Sequence, residues 1–320
     1  MTGKIYGTGS CVPVKAVSND DLAKIVETND EWIRERTGIA RRHIISGEES
    51  TVSLAAEASR RALEMAGIKA EELDMILFAT ITSNVVLPSA SCSVHVLIGA
   101  DNAVCFDLGA ACSGFVFAYS TAQAFIQTGM YRTILVIGAD CLSELTNWKD
   151  RSSCILFGDA AGAVVLRAEE NIPYESVMHS DGGMGWTMTC NSRNRTVCPP
   201  VETTYMQMDG KEIFKFAATR VPAVIHELLE KISMTADDID LFILHQANGR
   251  IIEAIAKRMK QDISKFPMNV EEYGNSSSGT VPLVLDQLNR SGKLHKGQKL
   301  ILCGYGAGLS WGAAYVEWQG

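Results

Sequence analysis

Short apolar runs alternate with amphipathic stretches along the chain. MILFATI at 75–81, TILVIGA at 133–139, AGAVVL at 161–166, LFILHQ at 241–246 and KLILCGYG at 299–306 have the continuous apolar character of strands buried on both faces. SLAAEASRRALEMAG at 53–67 and IFKFAATRVPAVIHELLEKI at 213–232 instead repeat their apolar residues at helical spacing. Strands alternating with helices over this length predict an α/β fold with helix-covered sheets. No low-complexity tract, charge block or Gly/Ser linker interrupts the alternation.

The pattern also repeats. LEMAGIKAEELDMIL, from Leu63, lies without a gap over LEKISMTADDIDLFI, from Leu229, at an offset of 166 residues. Further on, an offset of 165 lays Cys112-Ser113-Gly114 over Ser277-Ser278-Gly279. Two matches at nearly one offset predict an internal duplication. The halves are expected at 1–171 and 172–320, parted in the polar AEENIPYE segment. A pseudo-twofold arrangement would bring corresponding turns together, where a shared site could form.

Composition narrows the classes. A chain of 320 residues, 47% apolar and 21% charged, has the balance of a folded protein with a large core. A net charge of −8 argues against general nucleic-acid binding. The nine cysteines are scattered and none forms C-x-x-C, so neither a disulfide framework nor a metal site is expected. MTGKIYGTGSCVP has no basic start or apolar run, and no stretch reaches the length of a membrane span. The cytoplasm, with its thiols reduced, is the expected compartment.

Three residues stand out chemically. Cys112, in FDLGAACSGFVF, follows a strand that ends near Leu108 and precedes a helical pattern from Ser113. A thiol at a helix start is expected to gain thiolate character, and the small neighbours Gly109, Ala110, Ala111 and Gly114 leave room for a substrate. His245 ends an apolar strand where the first half has Ala79. Asn275 lies in a Gly274-Asn275 turn before a helix start. Each has a plain structural alternative: a buried cysteine, a satisfied histidine, a turn-capping asparagine. Singly, none decides. GYGAG lacks the third glycine of a dinucleotide loop, and FGDAAGA at 157–163 reads as a tight structural turn.

Together, GAACSGF around Cys112, HQANGRI around His245 and GNSSSGTVP around Asn275 resemble the β-ketoacyl-acyl carrier protein synthase III family. DEWIRERTGI at 30–39, FGDAAGAVVL at 157–166 and YGAGLSWGAA at 305–314 extend the resemblance over essentially the whole chain. It implies a thiolase-like fold of two duplicated halves in αβαβα layers, and an enzyme that starts type II fatty acid synthesis. Cys112 would carry the acyl group, and His245 and Asn275 would stabilise the enolate of a decarboxylating malonyl unit.

The backbone N–H groups of Cys112 and Ala307 would form an oxyanion hole. Gly306-Ala307-Gly308 departs there from a commoner Gly-Gly-Gly. Thr28, Trp32, Arg36, Arg151, Gly210, Phe214 and Asn248 would bind CoA, and Leu87 would close the neighbouring subunit's acyl pocket. Lys215, Arg250, Lys257 and Arg258, with Lys211 beside them, would face an acidic acyl carrier protein, although a solvated helix face also explains such charges. No cofactor, metal, nucleic acid or membrane partner is implied, and a homodimer is. A related enzyme of a polyketide or quinolone-type pathway would use the same three residues; a non-catalytic protein of this fold would not need them.

Overall fold

The apolar runs become two mixed sheets. In a computed structural model that describes residues 1–83, 85–190 and 205–320, the first sheet runs Thr2–Cys11, Asp159–Glu169, Thr133–Cys141, Met75–Ala79, Val104–Leu108. The second runs Leu241–Leu244, Lys299–Gly306, Ser310–Glu317, Tyr174–Ser180. Helices Gly114–Gln127 and Thr280–Arg290 lie between the sheets and touch both. Thr51–Ala66 and Ala90–Ile98 cover the outer face of the first sheet, and Gly210–Lys231 packs with Gly249–Met259 over the second. This is the expected αβαβα layering of the thiolase-like fold.

The inner helices are apolar on most sides because both faces are covered: Phe115, Val116, Ala118, Tyr119, Ala122 and Ile126 are all buried. Outer helices keep one polar face. Thr51–Ala66 starts on a Ser50–Ser53 capping box and stops at Gly67, whose φ of 62° suits glycine.

The duplication is visible in register. Met75 pairs with Ile134, and Leu241 with Leu300, so both partners are displaced by the same 166 residues. Asp74 N donates to Thr133 O and Asp240 N to Lys299 O, each at 2.9 Å. The 3₁₀ turns Ala111–Ser113 and Ser277–Gly279 both open on a non-glycine residue of positive φ, 43° at Ala111 and 51° at Ser277. Cys112 therefore corresponds to Ser278, and the offset of 165 is corrected to 166. Likeness among small side chains suggested the slip, whereas backbone geometry aligns the turns. A Cβ on Gly138 would stand 2.4 Å from Ser278 O, and one on Gly304 would stand 2.9 Å from Ser113 Cα. Each half's turn thus rests on a glycine of the other half.

FGDAAGA is not a tight turn. Asp159 already opens the eleven-residue strand Asp159–Glu169, and the small residues serve close packing: a Cβ on Gly162 would stand 2.7 Å from the Pro282 side chain. The last strand of the first sheet ends at Glu169 and the next strand, of the second sheet, begins at Tyr174. We propose the boundary between 171 and 172 on that basis. Among the described residues no helix is long and apolar enough to cross a membrane.

Candidate active site

Cys112 sits in the 3₁₀ turn that leads into Gly114–Gln127, as the strand–turn–helix pattern predicts. Thiolate character at rest does not follow. Burial pushes its pKa up to about 12, so the thiol is neutral. A helix start attracts negative charge, but in a dry site the loss of hydration outweighs it.

His245 follows directly on Leu241–Leu244, and its N–H extends the sheet by donating to Cys303 O at 2.8 Å. Burial lowers its pKa to about 3, which keeps the imidazole neutral. Its Nδ1 lies 2.7 Å from Thr280 Oγ1, and Tyr305 meets the ring edge-on with centroids 5.1 Å apart.

Asn275 is held by backbone on both sides: its N donates to Leu156 O (2.8 Å) and its O accepts from Gly158 N (2.9 Å). Its side-chain Oδ1 accepts from Ser277 N at 2.9 Å, which assigns the amide orientation and leaves Nδ2 as the donor for the cavity. The turn-capping role and the chemical role therefore coexist in one amide. A cleft lined by Cys112, His245 and Asn275 continues past Phe214, Asn248 and Gly210.

Gly306 closes over Cys112. A Cβ there would stand 2.8 Å from Cys112 Cβ. Ala307 has no positive φ, since Gly308 takes the unusual conformation at 135°. The Ala-for-Gly departure is therefore accommodated without backbone strain. Ser310 Oγ joins the two turns, donating to Ala307 O (2.9 Å) and lying 2.8 Å from Ser113 Oγ. At the corresponding place in the other half, Ser278 Oγ lies 2.7 Å from Asp140 Oδ2, and Ser278 N donates to the same oxygen at 3.2 Å. Thr80 Oγ1, Ile81 N and Thr82 Oγ1 donate to Asp140 Oδ1.

This geometry has counterparts among known proteins. Residues 106–182 match the family described as 3-oxoacyl-[acyl-carrier-protein (ACP)] synthase III, and residues 229–318 match its C-terminal part. The β-ketoacyl-[acyl-carrier-protein] synthase III of Clostridium acetobutylicum is 44% identical over 98% of both chains. That of a Synechococcus species is 46% identical over 99% of this chain and 96% of its own. The chain belongs to this family. The crystal structure of 3-oxoacyl-[acyl-carrier-protein] synthase III from Aquifex aeolicus superposes with a TM-score of 0.93 at 39% identity, covering 99% of this chain and 100% of that one. The chain is accordingly a condensing acyltransferase of fatty acid biosynthesis.

The synthase's outlying candidates divide into groups. Gly210, Phe214 and Asn248 line the cleft. Asn248 Nδ2 donates to Arg36 O at 3.1 Å, linking the cleft to Asp30–Thr37. There the guanidinium carbons of Arg36 and Arg151 stand 4.4 and 4.6 Å from the centre of the Trp32 ring. The buried Thr28 Oγ1 has no partner among the described residues. Arg250, Lys257 and Arg258 are exposed on Gly249–Met259, and Lys215 is exposed one helix away, 3.8 Å from Glu212.

Leu87 does not line this chain's cleft; it is 84% exposed, beside the still more exposed Val86. A second cavity behind Cys112 is lined, among the described residues, by Ile81, Leu142, Phe157, Met188 and Met206. Sequence reasoning missed these residues. Nothing in their local pattern separates a pocket wall from ordinary core.

Proposed function

We propose that this synthase transfers an acyl group from a short acyl-CoA, such as acetyl-CoA, to Cys112 and condenses it with malonyl-acyl carrier protein. In the first half-reaction the Cys112 sulfur attacks the thioester carbonyl and the C–S bond to CoA breaks. The Cys112 proton leaves with the CoA sulfur, giving acyl-cysteine and free CoA. In the second, the malonyl C–C bond breaks, CO2 departs and the electron pair becomes an enolate. That carbon attacks the acyl carbonyl, and the released Cys112 sulfur takes up one proton.

The convergence of a buried thiol, a neutral imidazole and an oriented amide on one cleft carries this reading. His245 and Asn275 would donate to the developing enolate oxygen, at roughly 3–4 kcal/mol for each fixed donor in a dry site. Asn275 cannot act as a base. Cys112 and Ala307 N–H would hold the tetrahedral oxyanion.

Trp32 and Arg151, with Thr28 and Arg36, would hold the CoA nucleotide. Arg250, Lys257, Arg258 and Lys215 would steer the acidic carrier. The reaction balances with its two thioesters alone, so no cofactor or metal is required. A second copy of the chain would cover the open edge strand Val104–Leu108, where Val104 and Phe106 are exposed. Leu87 would then reach the partner's pocket. The cytoplasm would supply both substrates.

Separating the half-reactions tests the roles. Cys112→Ala should abolish radiolabelled acetyl transfer to the protein. His245→Ala or Asn275→Ala should slow CO2 release from malonyl-acyl carrier protein by on the order of a hundred- to a thousand-fold while acylation persists. Acylation of the Cys112→Ala protein, or CO2 release at the parental rate in Asn275→Ala, would refute the assignment.

A further inference from the structure

The imidazole of His245 can donate to a substrate oxygen only if its Nε2 carries the proton, and its surroundings must settle that. Among the described residues, one side chain bonds the other ring nitrogen. Thr280, the first residue of Thr280–Arg290, is buried with its Oγ1 2.7 Å from His245 Nδ1 and 2.9 Å from Ser277 O. The hydroxyl has one proton for these two acceptors. If it pointed at Ser277 O, its lone pairs would face Nδ1, which would then have to carry the ring proton. If it points at Nδ1, the ring proton sits on Nε2 and faces the cleft.

Two observations favour the second arrangement. First, the Thr280 backbone N–H already donates to Ser277 O. The carbonyl already has one donor without the hydroxyl, while Nδ1 has no other partner among the described residues. Second, a contact of 2.7 Å is usual for a hydroxyl donor and short for an N–H donor, whose distances centre near 2.9–3.0 Å. The 2.9 Å separation from Ser277 O lies within the hydroxyl range but past its mode near 2.7–2.8 Å.

We infer that Thr280 is a positioning residue that donates to His245 Nδ1 and so holds the histidine as a neutral Nε2–H donor throughout the cycle. This rests on the donor role proposed for His245. It also explains how the Cys112 proton must travel. An imidazole that already holds a proton on Nε2, and is kept neutral by burial, does not accept one from the thiol. The proton goes to the departing CoA sulfur, and His245 serves the decarboxylation alone.

The tautomer can be read directly. The chain has six histidines, so ¹⁵N-histidine labelling of the whole enzyme, with His245→Gln to assign the signal, gives a tractable spectrum. The expected result is a protonated Nε2 and a hydrogen-bonded, unprotonated Nδ1. In Thr280→Val, which keeps the shape and loses the hydroxyl, the single tautomer should give way to a mixture. CO2 release should fall about tenfold, the loss expected for one net hydrogen bond, while acetyl transfer to Cys112 stays within about twofold. Thr280→Ser should restore both the spectrum and the rate.

A parental spectrum with the proton on Nδ1 overturns the inference whether or not the valine variant folds. So does a valine variant with unchanged tautomer and rate. If His245→Ala itself releases CO2 at the parental rate, the fault lies instead with the proposed role of His245.

Discussion

Replacing Gly306 by alanine puts a methyl group where the structure has no room. The new Cβ would lie 2.8 Å from Cys112 Cβ, 3.1 Å from Cys112 N and 3.3 Å from Cys112 Cα. Carbon atoms in ordinary contact are about 3.5–4.0 Å apart, so the nucleophile turn must retreat by about 1 Å. Overpacking of this kind costs roughly 1–3 kcal/mol in stability, whereas a misplacement of about 1 Å at a reacting centre can cost about a hundredfold in rate. Gly306→Ala should therefore fold, melt a few degrees lower, and acylate Cys112 about a hundredfold more slowly. Its neighbour supplies the control. Ala307 has no positive φ, so Ala307→Gly should change acylation by no more than about twofold. Radiolabelled acetyl transfer from acetyl-CoA measures both. If Gly306→Ala acylates within threefold of the parent, the backbone of residue 306 does not fix the nucleophile.

Other outcomes follow from the same geometry. Arg250→Glu should weaken use of malonyl-acyl carrier protein and flatten its salt dependence while acyl-CoA transfer stays nearly intact; equal loss in both half-reactions would mean a folding defect. Leu87→Phe should narrow the primer range towards acetyl-CoA, and equal rates of that variant on acetyl-, butyryl- and isobutyryl-CoA would show that residue 87 does not set the pocket. Burial lowers the His245 pKa from 6.5 to about 3, so between those values the unfolded chain binds a proton that the folded chain does not. Stability from this group is complete above pH 6.5 and is lost as pH falls through the window, by at most about 1.4 kcal/mol per pH unit. Urea midpoints of His245→Gln should accordingly fall less steeply than the parent's between pH 6.5 and 4; parallel slopes would count against a buried neutral histidine.

The elements most legible in the sequence were those with one dominant pattern. Lys299–Gly306 emerged with its observed bounds, and Thr51–Ala66 within two residues, because continuous burial and helical periodicity are each unambiguous there. Thr2–Cys11 does not stand out as a strand, since five of its ten residues are glycine or threonine and it buries one face in alternation. Asp159–Glu169 reads too short for a similar reason: its small residues mimic a turn, although Gly162 serves contact with Pro282. At the site, the identities of Cys112, His245 and Asn275 were readable, but their states were not. The neutral thiol, the depressed histidine and the amide fixed by Ser277 N all depend on burial and on partners distant in sequence. The wall behind Cys112 was invisible because Ile81, Leu142 and Met206 meet only in three dimensions.

The Asp140–Ser278 contact has a meaning that the repeat makes plain. At the offset of 166, Ser278 stands for Cys112 and Asp140 for Gly306. The carboxylate oxygen that accepts from Ser278 N therefore occupies the place where a thioester oxygen would meet Cys112 N in the working half. One turn holds an oxygen of the chain itself; its twin would receive the substrate's. On the proposed mechanism the chain's own Asp140 side chain fills one of two equivalent cradles, which would leave the molecule a single site. The filled copy would then hold, in permanent form, an image of the oxyanion proposed for the Cys112 turn.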